Sequence, residues 1–466
     1  MVREKHEQID IFESMLPMGD IVLDPVLQHI DELLDQAPEI LEEIKAIFQN
    51  RRTNSKTCGR GSHPVEVILR LIILKHLKSW RLRDTIEEVK YNFAYRKFTR
   101  LYFEKVPHYS ILSRYENLIP ESTIKKINER LIEVAKAKDV TKGYKFRIDT
   151  TVVEANIHHP TDSSLLYDGI RVINRIIQKA KETKLAAGEL TRNTMRQAKR
   201  RLLEIVKYAQ KRSEEKGELI KESYRSLISL TKQVVKKAVN LKNNMTQQIA
   251  GPISIETEAI IHHLTEMIDR FVPRIKSVIH QATQRVLREC KVDSHEKILS
   301  LFQPKSYVIR KGKTRNPVEF GQVVKIQEAD GKIITDYEIL SSNSGDRELL
   351  LPSIEKHKEL FGRPPRLVAT DRGFYSEELE KKVAGAGVKK VAMPKIGNKD
   401  AQRIKHEKQP WFRQGQRFRA GSEGSISVLK RVYGMDRCLN KREDGFGSWV
   451  GWRIVARNLK LIAQAI

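Results

Sequence analysis

The sequence predicts an α/β protein, with a helical region ahead of its sheet and a mostly α-helical block inserted into it. Three observations carry that reading. Short apolar runs suited to buried strands occur at Tyr144 and again after Ser306, on either side of a long stretch whose apolar residues recur at spacings of three and four. After the second return, strands and helices alternate, as in a layered mixed sheet. Residues 1 to about 140 carry helical patterns alone.

In chain order, the helical region opens with "LDPVLQHIDELLDQ", where Asp24 can cap and Pro25 takes the first helical position. A basic, glycine-containing link follows, "RRTNSKTCGRGS" from Arg51 to Ser62. Shorter helical patterns come next: "HPVEVILRLIILKHL", "LRDTIEEVKYNFAYRKF", "HYSILSRYENLI" and "ESTIKKINERLIEVAKAK". Short helices with tight joints and basic polar faces suit a helix-turn-helix-like reader of DNA. An ordinary helical domain with solvated charges carries the same pattern.

From Tyr144, "YKFRIDTTVVEANIHHP" turns to strand, with Asp149 expected at the strand's end. Ser163 to about Cys290 is helical and rich in Lys and Arg, broken once at Gly251-Pro252. "SYVIRK" and "GQVVKIQEADGKIITDYEIL" bring the strands back, the second as a hairpin whose Asp330-Gly331 signals a type I′ turn. The helix "ELLLPSIEKHKELF" leads to the strand "PRLVATDRGF", which ends on Asp371. The helix "SEELEKKVAGAG", the strand "VKKVAMP", a basic loop holding Trp411 and a C-terminal helical stretch complete the chain.

Composition narrows the function. With 466 residues, 40% of them hydrophobic, the chain can bury the cores of two or three domains. Its 86 Lys and Arg against 59 Asp and Glu leave a formal charge of +27, which points to a polyanionic partner, nucleic acid first. The longest apolar run, "VILRLIILKHL", is broken by Arg70 and Lys75 and falls short of a membrane span. "MVREKHEQIDIF" lacks the apolar core of a signal peptide. Three distant cysteines, Cys58, Cys290 and Cys438, argue against a disulfide framework or a zinc cluster, and the expected location is the cytoplasm.

Asp149 and Asp371 gain meaning if their strands lie side by side, because ligand and catalytic groups of α/β sheets collect beyond strand ends. Like charges there repel unless a cation stands between them, and a hard divalent ion takes carboxylate and phosphate oxygens together. Glu423, in "RFRAGSEGSISVLKRVYG", is the candidate third acid. Arg419 precedes it by four residues and Lys430 follows by seven, offsets that keep all three near one helix face. A surface salt-bridge trio accounts for the same spacing. Glu154 competes as third acid, although its closeness to Asp149 fits a supporting or surface role better.

These stretches resemble the DDE-class transposases of bacterial insertion sequences, the IS-five-like and IS-four-like superfamily. The resemblance rests on "PVEVILRLIILKHLKSWRLRDTIEEVKYNFAYRKF" with "VPHYSILSR", on "RIDTTVVEANIHHPTDSSLL", on "ATDRGFYS", and on "GSEGSISVLKRVYGMDR" with "GFGSWVGWRIVARNLKLIA". It implies an RNase H-like catalytic domain, with Asp149, Asp371 and Glu423 as both catalytic residues and ligands of two Mg2+ or Mn2+ ions. The family's third-acid signature matches at Arg419, Glu423 and Lys430; its Tyr position holds Gln416, and Phe374 stands where a Tyr is frequent. Arg419, Lys430, Arg372 and Trp411 are the expected DNA contacts.

The expected organisation is a DNA-binding helical domain over 1–140, a catalytic domain from 141–162 and 304–466, and a helical insertion over 163–303. The resemblance also implies double-stranded DNA partners, namely the element's terminal inverted repeats and the target, a dimer or larger assembly on DNA, and no membrane. A metal-dependent nuclease without strand transfer shares the acids. A transposase-derived DNA-binding protein that no longer cuts is disfavoured by the intact set. The pairs His158-His159 and His262-His263 lack zinc-like spacing to any Cys or acid. Arg196, Arg200 and Arg201 suit either phosphate contacts or a solvated helix face.

Overall fold

The computed structural model describes the chain apart from residues 1–22, 51–62, 103, 184, 186–191, 211, 213, 250–253, 294–295, 311–317 and 341–344. The N-terminal segment, the basic link with Cys58 and the Gly251-Pro252 break lie outside the described residues. The chain divides into two compact units, Met1–Glu154 with Gln322–Ile466, and Ala155–Gly321.

The first unit begins with helices α1 (Pro25–Asp35), α2 (Pro38–Gln49), α3 (Val65–Lys78), α4 (Leu82–Tyr91), α5 (Phe93–Phe98), α6 (Tyr109–Glu116) and α7 (Glu121–Ala137). The α1 start is as its sequence predicts: Asp24 accepts from the Leu27 N–H at 3.1 Å and Pro25 takes the first position. Helix α3 is buried on all sides from Val65 to His76, so its charges require partners. Arg70 meets Asp31, Asp35 and Glu66, and Lys75 meets Glu116 at 2.6 Å. Strand β1 (Lys145–Ala155) follows.

The second unit is built on helices α8 (Asp162–Glu182), α9 (Arg192–Gln210), α10 (Lys216–Ile249) and α11 (Ile255–Ala282). Leu166, Ile170, Leu227, Leu264 and Ile275 are fully buried in its apolar core. Gly169 lets α8 approach α11, since a Cβ there would stand 3.1 Å from Ile275. Strand β2 (Tyr307–Arg310) pairs antiparallel with the start of β3 (Val318–Ala329), Tyr307 opposite Gly321.

In the first unit, β3 continues into β4 (Ile334–Leu340), then α12 (Asp346–Phe361), β5 (Leu367–Ala369), α13 (Glu377–Gly385), β6 (Lys390–Ala392), α14 (Ala401–Glu407), α15 (Pro410–Arg431), β7 (Arg437–Cys438) and α16 (Gly445–Ala465). Its strands run in the order β4-β3-β1-β5-β6, with β7 on β1. The pair β3–β4 is antiparallel, while β1–β5 and β5–β6 are parallel. One face of the sheet sends Phe146, Ile148 and Val368 into a core with Leu350, Ile354, Leu379 and Val383 of α12 and α13. The other face sends Leu367, Ala369 and Ala392 against Phe412 of α15. Trp452, Val455 and Leu459 of α16 share a core with the N-terminal helices. Among the described residues, no helix is long and apolar enough to cross a membrane.

Three sequence expectations are corrected. The β3–β4 hairpin forms, but its positive-φ residues are Gly331 and Lys332, in place of Asp330 and Gly331. Asp330 instead accepts from the backbone N–H groups of Lys142 and Lys145, tying the start of β1 to the turn. Strand β1 does not end at Asp149; it runs on to Ala155, where the Glu154 N–H donates to Asp436 O at 2.8 Å. Trp411 is not in a loop but at the second position of α15, which Pro410 opens with its fixed φ.

Candidate functional site

The site is built on the α15 side of the sheet. Side chains alternate along β1, so Lys145, Arg147 and Asp149 share the face opposite Phe146 and Ile148. Arg147 and Glu328 are both buried and meet twice, Nη2 to Oε1 at 2.7 Å and Nε to Oε2 at 3.0 Å. The Ser425 hydroxyl donates to Glu328 Oε1 at 2.8 Å, and Arg457 of α16 donates to Ser425 Oγ at 3.0 Å. Arg147 also donates to the Phe418 carbonyl of α15. A buried ion pair is tolerable only when its remaining donors and acceptors are used, and here they fix the rotation of α15 over the sheet. Gly421 is required at this crossing: a Cβ would collide with the Arg147 guanidinium.

The parallel register sets Arg147 beside Ala369. Two residues further on come Asp149, still within β1, and Asp371, just beyond β5, so both carboxylates emerge where β5 has ended and β1 has lost that neighbour. Asp149 accepts from Ser422 Oγ at 2.8 Å and from the Thr150 N–H at 2.9 Å. Burial pushes its carboxyl above the usual range; the Ser422 bond and the Arg419 charge oppose this, while the Asp371 charge adds to it. Asp371 caps the short turn Arg372–Phe374 by accepting from the Arg372 N–H at 2.6 Å.

Arg419 stands among the three acids. Its Nη2 lies 3.7 Å from Asp149 and 3.3 Å from Asp371, and its Nη1 lies 3.1 Å from Glu423. The structure therefore brings all three predicted acids to a single guanidinium. Their exposure is graded: the side chain of Asp149 is 17% exposed, Asp371 48% and Glu423 69%, so the cluster opens outward to solvent.

The other predicted residues divide. Arg372 is exposed next to Asp371. Lys430 donates to Val152 O at 2.7 Å, which ties α15 to β1. Trp411 contacts the rings of His406 and Phe412, and Lys390 lies 5.9 Å from its centroid. Gln416 donates to Ala392 O at 2.6 Å, anchoring α15 at the end of β6. His158 lies near Asp168 and His262 near Glu258, each a pairwise contact. Arg200 and Arg201 both pair with Glu204, whereas Arg196 is exposed.

Three residues of the site went unread in the sequence. Ser422 had its signal in adjacency to Glu423, and Arg147 in being a charge inside an apolar strand. Glu328 had none, because a charged residue in a hairpin reads as solvent-facing.

Carboxylate oxygens are hard donors of the kind Mg2+ and Mn2+ take, so the donor set fits a divalent ion in chemistry. In their present positions the acids surround the Arg419 guanidinium; among the described residues, no group of three or more His, Cys, Asp or Glu side chains is close enough to hold one metal.

Residues 11–118 match the family model described as "Transposase domain (DUF772)", and on that match the chain is similar to a transposase family. No curated protein and no solved structure matches the chain.

Proposed function

We propose that the protein is a DDE-class transposase that binds the ends of an insertion sequence, cleaves them and joins the freed 3′-hydroxyls to target DNA. One observation carries the reading: three acids far apart in sequence, Asp149 within β1, Asp371 just beyond β5 and Glu423 on α15, gather on one cation in a chain whose N-terminal region matches a transposase domain. In this reading the sheet with α15 is an RNase H-like catalytic domain. The chain acts as a dimer or larger assembly, because two element ends are processed together.

Asp149, Asp371 and Glu423 would hold two Mg2+ or Mn2+ ions, which supply nucleophile activation and stabilisation of the leaving oxygen. The remaining work falls to the chain itself. Ser422 and the Thr150 N–H aim the Asp149 carboxylate, and the Arg372 N–H aims that of Asp371. The Arg147–Glu328–Ser425 network holds α15, and with it Glu423, against the strands. Exposed Arg372 supplies positive charge where phosphates arrive, and the outward-facing acids suit a duplex laid across the surface better than a small molecule in a closed cavity. The net charge of +27 favours the same polyanion.

The test uses duplexes carrying the termini of the element that encodes the chain, together with pre-cleaved ends and a target plasmid. Wild type cleaves and joins in Mg2+; Asp149→Asn loses both by at least about a thousandfold and retains end binding. Cleavage without joining by wild type assigns a nuclease. Cleavage retained by Asp149→Asn removes that residue from the mechanism.

A further inference from the structure

Arg419 occupies a position that the proposed chemistry reserves for metal. We infer that it is the built-in counter-cation of the site: in the metal-free protein its guanidinium holds Asp149, Asp371 and Glu423 together, and a divalent ion binds only by displacing it. The inference rests on the two-metal reading above and says how that site is kept assembled and discharged before it is loaded.

Asp149 and Asp371 touch the same nitrogen, so their Oδ2 atoms can be no further apart than those two contacts laid end to end. Glu423 reaches the other terminal nitrogen. Three carboxylates this close repel one another unless a cation is shared, and Arg419 is the cation found there. A guanidinium is suited to the task because its planar fork presents separate nitrogens to separate carboxylates, which an ammonium cannot do.

Arg419 is also built to leave. Its Nε is buried without a hydrogen-bond partner, so these three acids are the attachments that hold the head group. Its attachments are loose. Glu423 is exposed and Asp371 half-exposed, where ion pairs are screened; Asp149, more buried, stands at 3.7 Å, too long for a hydrogen bond; and Arg419 precedes Glu423 on the helix, the less favourable order of charges for that spacing. A divalent ion brings twice the charge to the same oxygens. Guanidinium and metal therefore compete for one set of ligands.

The experiment compares full-length wild type with Arg419→Gln. Free Mn2+ is followed by electron paramagnetic resonance during MnCl2 titration, with Asp149→Asn defining the binding that belongs to this site. The site-specific Mn2+ dissociation constant should tighten by about tenfold in Arg419→Gln, because the competing cation is gone. In EDTA the variant should melt about 2–4 °C below wild type through unrelieved repulsion, and Mn2+ should raise its melting temperature by more than it raises that of wild type. If Arg419→Gln does not fold, Arg419→Lys serves: one ammonium cannot span three acids, so Mn2+ binding should still tighten. Asp149-dependent binding that is equal or weaker without Arg419 overturns the inference and leaves the metal reading standing. Absence of any Asp149-dependent Mn2+ binding brings down the metal reading, and this inference with it.

Discussion

The two units place their charges differently. The first buries Arg70, Lys75, Arg147, Lys325, Glu328 and Arg457 within networks of opposite charge and backbone carbonyls, and Arg453 against the His76 and Trp449 rings. The second buries Leu, Ile and Val along α8, α10 and α11, and among the described residues none of its Lys or Arg is buried. Apolar contact is non-directional and tolerates sliding, whereas a buried ion pair has one favourable geometry and is costly in any other. Buried cations are found in the unit where α15 must present Glu423 and Arg419 to Asp149 within β1 and to Asp371 just beyond β5. The second unit buries two carboxylates, Asp162 and Asp168, but pairs them with Arg285 and Arg171, whose side chains are partly exposed.

The sharpest way to break this contrast is to remove the shared anion of the first unit. Glu328→Gln leaves Arg147 and Arg457 buried without a compensating charge, which should cost about 3–5 kcal/mol in urea unfolding. It should also loosen α15, measured as faster amide hydrogen exchange over Pro410–Arg431. A loss below about 1 kcal/mol would mean that the network is ornamental and that apolar contacts alone fix α15.

Part of this site was legible before the fold was known. A carboxylate following a short apolar run at Asp149 and again at Asp371 is a local pattern, and the parallel register brings the two together two residues past Arg147 and Ala369. Glu423 was readable from the four-residue step to Arg419, which becomes a direct contact in the helix. The rest depended on facts outside any local window. The basic stretch holding Trp411 reads as a loop but begins α15, with Pro410 as its first residue. Gly415 and Gly421 have low helix propensity, yet each is demanded by a close approach, to Ala392 and to Arg147 respectively. Glu328 becomes an interior residue only because α15 and α16 cover the face of β3 on which it lies.

The second unit offers the matching test, with a somewhat smaller effect. Leu264 is fully buried between the long helices, so Leu264→Ala should cost about 3 kcal/mol, combining lost burial with the cavity left behind. Amide exchange should accelerate across α8, α10 and α11 while β1 and α15 keep their protection. Equal loss of protection in both units would show a single cooperative fold and erase the contrast.

Acid gives the smallest expected effect, and it should fall on the first unit. His76 is held down to about 3, chiefly by burial and then by the charges of Lys75 and Arg453; His357 is held down to about 4, again chiefly by burial. His357 donates from Nε2 to Gly143 O at 3.0 Å while its Nδ1 is buried without a partner, the arrangement of a neutral ring. Between these folded values and the ordinary histidine value near 6.5, the unfolded chain binds more protons than the folded one. Stability from this source is therefore complete above about pH 6.5 and declines as pH falls, by about 1 kcal/mol per histidine on going from pH 7.5 to 5.5. Carboxyls raised by burial, such as Asp31, act in the opposite sense, so a substitution isolates the histidine better than the raw profile does. His357→Gln keeps a donor for Gly143 and removes the titration. Its urea midpoints at pH 7.5 and 5.5 should lie closer together than those of wild type, by an amount equivalent to about 1 kcal/mol. An unchanged separation would mean that His357 accepts its proton in the folded state, and that burial in the first unit is less complete than its charge networks require.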